Sequence, residues 1–344
     1  MLRAPFRADS AQQPTGRATA TRRCRSIACL ILVAALLQTN ITGCTERSAT
    51  DSGNATTHWI DWGVFLPDDN AGSSSLWTVQ QMAGSKPRYV MRFAALDEPT
   101  PIPEFNVITT AGAEPILTLE TWQPDAGVEQ PDYALSRIAA GDLDDRLDTW
   151  AHNLAAWGQP LLLRFGHEMN SNHYPWSVGV NGNSATDFVA AWNHVRSRFS
   201  LAGARNVSFM WCPDSPYEGS ADASPAYPGV DAVDVLCLDG YNWGDGEGHA
   251  WKSPEDVFGA GLDQLRALDG RHPIIIGETA SVEGPRSGDD KANWIRRLFD
   301  FLARQNQVSA VVWFQMDKER DWRFNSSGQA QAAFKQAIAD RRHP

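Results

Sequence analysis

Two glutamates each follow directly after a short apolar run, and this placement suggests paired carboxylate chemistry. The run 161–166 (LLLRFG) leads into His167 and Glu168, and the run 274–277 (IIIG) leads into Glu278. Two carboxylates held rigidly at strand ends can cleave one glycosidic bond, because one protonates the leaving oxygen while the other attacks the anomeric carbon. Either glutamate alone could instead cap a helix or pair with an arginine.

Polar and aromatic residues follow the other apolar runs as well. Six short segments share this feature: 120–122 (ETW), 167–170 (HEMN), 211–214 (WCPD), 239–243 (DGYNW), 278–279 (ET) and 313–315 (WFQ). The carboxyl ends of parallel strands in a barrel meet on one rim, and active sites lie on that rim. Buried ionisable groups cost free energy unless they are paired, so a packed core gains nothing from repeating them at strand ends. The segments therefore predict a functional site.

Several other catalytic motifs are absent from the sequence. The string 167–171 (HEMNS) is not HExxH, because Ser171 stands where a zinc peptidase needs its second histidine. There is neither a GxSxG nucleophile elbow nor a glycine-rich phosphate loop ending in Gly-Lys-Ser or Gly-Lys-Thr. No cysteine and histidine spacing is typical of a metal site. We therefore expect no metal and no other cofactor.

The secondary structure between these segments must bring them together. From residue 58 onward, eight short apolar runs are predicted strands: 62–66, 88–93, 115–119, 160–165, 207–211, 233–238, 273–276 and 310–314. Amphipathic helices are predicted between or after them, at 143–157, 185–199, 254–268, 291–304 and 329–341. Continuous Val, Ile and Leu runs without alternation are typical of parallel strands that are covered on both faces.

Eight such strands with intervening helices predict an α/β fold, a single (β/α)8 TIM barrel over residues 58–344. A doubly wound open sheet is the alternative, but no GxGxxG motif opens its first strand–helix unit. In the barrel the fourth and seventh strands are nearly opposite. Glu168 and Glu278 would therefore approach a sugar from two sides.

The composition excludes several classes of protein. The chain has 344 residues, of which 42% are hydrophobic and 21% charged, and this fits a folded globular protein rather than a disordered or polytopic membrane protein. Its formal net charge of −11 argues against a nucleic-acid partner, which would require clustered Lys and Arg. The 14 tryptophans exceed the needs of a core, and their wide apolar faces suit sugar rings.

The amino-terminal segment has the pattern of an export signal. Residues 1–26 carry six arginines against one acidic residue, and an uncharged, mostly apolar stretch follows at 27–37. This stretch is too short to span a bilayer as a helix, and it has the length of a signal-peptide core. It leads to 41–44 (ITGC), which resembles a bacterial lipobox.

The lipobox predicts three parts of the chain: a signal peptide at 1–43, a flexible tether at 44–57 and a catalytic domain at 58–344. Cys44 would be lipidated and become the new amino terminus. The protein would then be exported and anchored to a membrane only through this lipid, facing the periplasm or the cell exterior. A plain secretory signal, which gives a fully secreted protein, is the alternative, and an uncleaved anchor is the third possibility.

Two cysteines remain in the predicted domain, Cys212 and Cys237. Two thiols do not make a disulfide framework of the kind found in small secreted domains. Both lie in apolar, strand-like runs. The sequence therefore predicts buried free thiols at both positions.

Several of these segments resemble glycoside hydrolase family 26. Segment 164–170 (RFGHEMN), followed by 174–176 (YPW), resembles the acid/base strand of that family. Segment 277–279 (GET) resembles the nucleophile strand of the family, and segment 239–243 (DGYNW) resembles its sixth strand. Trp313 and the loop after it resemble the eighth strand, so that the resemblance covers most of the chain beyond the tether.

The resemblance implies a role for each matching residue. Glu168 would be the general acid/base and Glu278 the nucleophile. Six residues would bind or orient the substrate: His167 beside the acid, Arg164 near the carboxylates, Tyr241 bonded to the nucleophile, Trp313 under the sugar, and Trp176 and Trp243 along the cleft. Alternatives remain, because Arg164 could form an ion pair that serves only stability, and Trp176 and Trp243 could pack loops.

The segment after the acid/base strand departs from the pattern of mannan-cleaving members. Those members commonly carry a Trp-Phe-Trp-Trp run there, whereas 172–176 reads NHYPW, which looks closer to members that act on mixed-linkage β-glucan. The sequence therefore predicts a monomeric, retaining endo-β-glycanase whose polysaccharide substrate is mixed-linkage β-glucan or β-mannan. One rival is a non-catalytic glycan-binding lipoprotein on the same barrel. Another is an enzyme that processes a self-made exopolysaccharide.

Overall fold

Eight parallel strands close into a barrel in chain order. The computed structural model of the protein describes residues 58–67, 73–246, 248–284 and 290–341; within them each strand pairs with the next, and the last pairs with the first. The strands are β1 (Asp61–Phe65), β2 (Tyr89–Ala95), β3 (Glu114–Glu120), β4 (Leu161–Phe165), β5 (Val207–Trp211), β6 (Val235–Asn242), β7 (Ile274–Ser281) and β8 (Val308–Phe314). The predicted (β/α)8 barrel is confirmed.

Helices occupy most of the connections between the strands. They are α1 (Ser73–Ala83), α2 (Ile102–Thr110), α3 (Leu135–Ala140), α4 (Asp144–Trp157), α5 (Ala185–Leu201), α6 (Pro254–Leu268), α7 (Asp290–Leu302) and α8 (Gly328–Arg341). The connection from β5 to β6 differs, because a short 3-10 turn at Ser224–Ala226 stands where a helix would be expected. Its residues are left to build a loop on the carboxyl side of the barrel.

Local sequence explains where two of the central helices begin. Ser184 precedes α5 and accepts a hydrogen bond from the backbone of Asp187, whose side chain bonds back to the backbone of Ser184. Ser253 and Asp256 form the same reciprocal capping box at the start of α6. Each box satisfies backbone N–H groups that a helix start leaves without partners. Both helices therefore start at fixed positions after the loops that follow β4 and β6.

The strands are buried on both faces, as the continuous apolar runs predicted. Every residue of β4 and of β7 is buried. The outer faces of the strands pack against the helices, and apolar side chains fill most of the core. Polar groups appear inside the barrel towards the carboxyl ends of the strands, where Thr118, Arg164, Asp239 and Glu278 are all buried. The interior thus changes from an apolar core to a polar site along the strands.

The expectation of free thiols is wrong. Cys212 and Cys237 are joined by a disulfide with a sequence separation of 25 residues. Cys212 directly follows β5 and Cys237 lies in β6, so neighbouring parallel strands bring the two side chains together. A pattern of isolated cysteines does not show this, because the pairing depends on strand adjacency and not on spacing in the sequence.

The predictions for the amino-terminal segment lie outside the described residues. The signal peptide at 1–43, the lipidated Cys44 and the tether up to residue 57 all fall there. Within the described residues, no helix combines the length and the apolar character needed to cross a membrane.

Candidate active site

The two glutamates singled out in the sequence meet at the carboxyl end of the barrel. Glu168 follows β4 after a short turn, and Glu278 lies within β7. One carboxylate oxygen from each of Glu168, Asp239 and Glu278 lies within 4.8 Å of the others. Glu168 is 8% exposed and Glu278 is 6% exposed. The barrel therefore brings three carboxyl groups together in one largely buried cluster.

Glu278 is held by hydrogen bonds on both of its carboxylate oxygens. Arg164 donates to Oε1, and the hydroxyl of Tyr241 donates to Oε2 at 2.6 Å. Burial, the negative charge of Glu278 and the bond donated to it raise the pKa of Tyr241 well above its usual value. Tyr241 therefore stays protonated and remains a donor. The structure places Tyr241 at the position that the sequence predicted, beside the proposed nucleophile.

Arg164 is the fully buried cation between the carboxylates. Its guanidinium donates to Asp239 Oδ2 at 2.5 Å and to Thr118 Oγ1 at 2.9 Å, and it lies 5.4 Å from the ring centroid of Phe93. Burial alone would lower the pKa of Arg164, but the charges of Asp239 and Glu278 outweigh burial and raise it. Arg164 thus forms the buried ion pairs that were the alternative, and its contacts with Asp239 and Glu278 are compatible with the expected role of orienting the carboxylates.

Glu168 has a different environment from Glu278. Burial raises its pKa well above the usual value for glutamate, and repulsion from Asp214, Asp239 and Glu278 raises it further, while Arg164 opposes them. A carboxyl group in such surroundings favours its protonated form. The side chain therefore has the electrostatic character of a proton donor.

The backbone of Glu168 is also unusual. Its φ of 51° lies in the left-handed region, which non-glycine residues seldom occupy. Its N–H donates to the carbonyl of Cys212 at 2.7 Å, and its carbonyl accepts from Ser171 at 2.9 Å. These bonds hold the sharp turn that points the side chain into the cluster. Outliers of this kind cluster at functional sites.

Two further carboxyl groups belong to the site but received no role from the sequence. Burial and the charge of Glu278 raise the pKa of Asp214, after β5, to about 7. Burial raises the pKa of Glu120, at the end of β3, to about 8, although the indole of Trp122 donates to it at 3.2 Å. Both residues lie in the strand-end segments that the sequence analysis singled out, so the available signal was their position after a strand.

His167 is fully buried beside the acid. Its ring lies 4.6 Å from that of Tyr174 and 5.8 Å from that of Phe93, measured between centroids. Burial and the charge of Arg164 lower its pKa well below the usual value, so the ring is neutral. Neither ring nitrogen has a hydrogen-bond partner within the described part of the chain. The predicted contact between His167 and a sugar would supply one.

Trp176 does not reach the surface of the cleft. It has no exposed area, its indole donates to the carbonyl of His167 at 2.7 Å, and its ring stacks on Tyr174 with centroids 4.6 Å apart. The partly exposed side chain at this point is Tyr174. The expectation that Trp176 lines the cleft does not fit this packing, in which Tyr174 is the partly exposed ring and Trp176 is buried behind it.

Trp313 faces away from the cluster. Its ring packs against Trp294 of α7 and Phe334 of α8, with centroids 6.3 and 5.3 Å away, and it is 1% exposed. Successive side chains of a strand point to opposite faces, so Phe314 points inward in its place. Phe314 packs against Tyr241 with centroids 5.8 Å apart. The expectation that Trp313 stacks under a sugar does not fit this structure.

Trp243 remains available at the rim. It is partly exposed, its ring stacks on His249 with centroids 4.9 Å apart, and it meets Trp322 edge-on at 4.9 Å. Trp322 is 2% exposed and also packs against Tyr241. Trp243 can therefore both pack its loop and present a face to a ligand. Trp322, which the sequence analysis did not assign to the cleft, supports both residues.

The carboxyl cluster is poorly suited to a cation. Glu168, Asp239 and Glu278 could offer three oxygens to a metal ion. Arg164, however, already donates to Asp239 and Glu278, and its positive charge would repel a metal at this point. These side chains therefore fit a site in which Arg164 holds the carboxylates in place better than they fit a metal site.

Comparisons with known proteins agree with this geometry. A sequence model of glycosyl hydrolase family 26 matches residues 119–251, which include Glu168 and Tyr241. Endoglucanase H of Acetivibrio thermocellus is 32% identical over 273 residues, which are 77% of this chain, and the chain spans only 29% of the length of that relative.

Solved structures of the same family share the fold. A β-mannanase from Bacteroides ovatus superposes with a TM-score of 0.62 at 19% identity, covering 83% of this chain and 90% of that one. A family 26 protein from Muricauda sp. MAR_2010_75 gives a TM-score of 0.59 at 19% identity, over 80% of this chain and 88% of its own. Motifs, barrel and relatives agree, and this chain is a member of glycoside hydrolase family 26.

Proposed function

We propose that the protein is a retaining endo-β-glycanase in which Glu168 is the general acid/base and Glu278 the nucleophile. The observation that carries the proposal is the short distance between the two carboxylates, whose oxygens approach within 4.8 Å. Retaining enzymes separate their two carboxyl groups by about 5–5.5 Å, whereas inverting enzymes leave about 6.5–9.5 Å to admit a water molecule between them.

The first step would form a covalent bond between sugar and enzyme. A carboxylate oxygen of Glu278 attacks the anomeric carbon, and the bond from that carbon to the leaving oxygen breaks. Glu168 gives its proton to the leaving oxygen, which departs as a hydroxyl group. The raised pKa of Glu168 supports this role, because the group must be protonated before the step. Arg164 and Tyr241 fix the attacking carboxylate of Glu278.

The second step would release the sugar with its configuration retained. Glu168, now ionised, takes a proton from water, and the water oxygen attacks the anomeric carbon from the side that the leaving group vacated. The bond to Glu278 then breaks, and both carboxyl groups return to their starting states. Two displacements at one carbon restore its original configuration.

Mixed-linkage β-glucan is the substrate that we favour, with β-mannan as the second candidate. The relative named as an endoglucanase is 32% identical to this chain, whereas the β-mannanase of known structure is 19% identical. Tyr174 and Trp176, in place of the tryptophan-rich run of mannan-cleaving members, support the same choice. The proposal that the enzyme cleaves within the polysaccharide chain rests on the name of Endoglucanase H.

Measuring both turnover and binding distinguishes an enzyme from a glycan-binding protein. Purified residues 58–344 are incubated with mixed-linkage glucan, mannan and xylan, and the release of reducing ends is measured. Proton NMR of early products should show the β-anomer first. Calorimetry with oligosaccharides tests binding by Glu278→Ala, which should bind without hydrolysis. Wild-type protein that binds a β-glycan and releases no sugar would establish the binding lipoprotein instead.

We also propose that Cys44 anchors the exported protein to a membrane by a lipid. The support is the 41–44 segment after an apolar stretch of signal-peptide length. Cys44→Ser should move the protein from the membrane fraction to the soluble fraction and abolish labelling with palmitate. Equal labelling of both forms would reject the anchor.

A further inference from the structure

The regular sheet stops before it reaches the acid. The ladder between β4 and β5 pairs Leu161 with Val207 and ends at the pair Leu163–Phe209. Glu168 lies beyond this point, in a segment that has left the strand. The sheet therefore does not fix the position of this side chain, and other bonds must do so.

Asn170 forms a two-point bond across this gap. Its Nδ2 donates to the carbonyl of Asp214 at 2.9 Å, and its Oδ1 accepts from the N–H of Asp214 at 2.8 Å. Both partners are backbone groups, so the amide copies the bonds that a neighbouring strand would make. Asn170 is 2% exposed, and its own carbonyl accepts from the N–H of Ala221 at 2.8 Å. The side chain thus continues the β4–β5 connection after the ladder has ended.

The same bonds lead on to the nucleophile. Asp214 forms an isolated parallel bridge with Asp239 of β6, where Ser215 N–H donates to the Asp239 carbonyl at 2.8 Å. Asp239 in turn is the register partner of Glu278 on β7. Together with the bond from the Glu168 N–H to the carbonyl of Cys212, Asn170 therefore joins the segment that carries Glu168 to a backbone path that leads to the strand of Glu278.

We propose that Asn170 is a positioning residue that holds Glu168 within reach of the glycosidic oxygen and of Glu278. The inference rests on the function proposed for the two glutamates. Glu168 is two residues away in the chain, and its left-handed backbone needs the surrounding segment to be held firmly. General acids must lie within hydrogen-bond reach of the proton acceptor, and a misplacement of about 1 Å can reduce the rate about 100-fold.

Two substrates whose leaving groups differ in basicity distinguish a positioning role of Asn170 from a merely structural one. A polysaccharide needs the proton of Glu168 when its glycosidic bond breaks, whereas a dinitrophenyl β-oligosaccharide releases dinitrophenolate, a leaving group that departs without a proton. Asn170→Ala and the nearly isosteric Asn170→Asp should reduce kcat/KM on the polysaccharide about 100-fold. Both variants should keep kcat/KM on the activated substrate close to the wild-type value. The ratio of the two constants does not depend on the fraction of folded enzyme.

Asn206→Ala is the matched control at the other end of the same two strands. Asn206 donates to the carbonyls of Leu154 at 3.0 Å and Gln159 at 2.8 Å, and its own carbonyl accepts from Leu161 at 3.1 Å. It is a backbone-bridging asparagine, like Asn170, but it lies where β4 and β5 begin. The variant should lower stability and leave the ratio of the two kcat/KM values unchanged.

Four outcomes would overturn the inference. Equal losses on both substrates in the Asn170 variants would show a structural role only, and no loss on either would show no role. A change of the ratio in Asn206→Ala would show that any loosening of β4 and β5 misplaces the acid. Wild-type enzyme inactive on both kinds of substrate would reject the proposed function itself, and with it the role of Asn170.

Discussion

The two proposed catalytic carboxylates are held by different kinds of structure. Glu278 lies inside β7, which pairs with β6 on one side and β8 on the other, and both of its oxygens accept hydrogen bonds. Glu168 lies outside any strand with a left-handed backbone, and no residue in the described part of the chain donates a hydrogen bond to its carboxyl group.

The difference matches the demands of the two proposed roles. A nucleophile must be held in place for its attack, which a buried arginine, a tyrosine hydroxyl and a paired strand provide. An acid/base must gain and lose a proton in each cycle, so burial and neighbouring carboxylates that favour its neutral form suit it better than permanent donors. A barrel can thus give two identical side chains different chemistry by placing one in the ladder and one beyond it.

The largest expected effect comes from removing either carboxylate. Glu278→Ala should lose about 10⁴-fold or more in turnover on polysaccharide and on activated aryl substrates, because both need the nucleophile. Glu168→Ala should lose about 10²–10⁴-fold on polysaccharide and keep kcat/KM on the activated substrate. Steady-state kinetics of both variants on both substrates make the measurement. Equal losses of Glu168→Ala on the two substrates would remove the acid/base assignment.

Arg164→Met should break the side of the site that carries Glu278. The change leaves Asp239 and Glu278 buried without their cation, and breaking such a pair typically costs about 3–5 kcal/mol. Urea unfolding of wild type and variant measures the free energy of unfolding. Thr118→Val removes only one hydrogen bond to the same guanidinium and should cost about 1 kcal/mol. A similar small cost for both variants would show that the ion pair contributes little to stability.

Asp214→Asn should shift the pH dependence of the side that carries Glu168. The charge of Asp214 raises the pKa of Glu168, so its removal should lower that pKa. The enzyme would then lose its protonated acid at a lower pH, and the basic limb of kcat/KM would move towards acid. Asp234→Asn is the control, because Asp234 pairs with Arg196 at 2.7 Å and is not part of the carboxyl cluster. An unchanged basic limb in Asp214→Asn would contradict the coupling.

Much of the fold could be predicted because its signals are local. The 207–211 strand and the 254–268 helix match β5 and α6 to the residue. Three strands that reach the site were predicted too short, since β3, β6 and β7 continue into polar residues that carry the chemistry. Apolar runs mark only the apolar part of a strand. The ends of β3, β6 and β7 carry polar residues, which are the residues of the candidate site, and the apolar runs therefore did not include them.

Side-chain direction was the part of the site that the sequence could not supply. The hydrogen bond from Tyr241 to Glu278 was expected from the resemblance to glycoside hydrolase family 26, which carries a contact over and does not derive a side-chain direction. Trp176 and Trp313 were expected in the cleft, but one lies behind Tyr174 and the other faces the helices. The disulfide of Cys212 and Cys237 was missed for a related reason. The direction of a side chain and the identity of the neighbouring strand are properties of the closed barrel and not of any one segment.

The smallest expected effect distinguishes two tryptophans on the side of the site that carries Glu278. Trp313 donates its indole N–H to the carbonyl of Trp322 at 2.9 Å and has almost no exposed surface, whereas Trp243 is partly exposed at the rim. Trp313→Phe should therefore cost about 1 kcal/mol of stability for the lost hydrogen bond and leave KM unchanged. Trp243→Ala should raise KM several-fold and change stability less, because the ring can contact sugar directly. Melting curves and KM values for the two variants test this. A raised KM in Trp313→Phe, with wild-type stability, would return Trp313 to the cleft and reverse the side-chain directions assigned to β8.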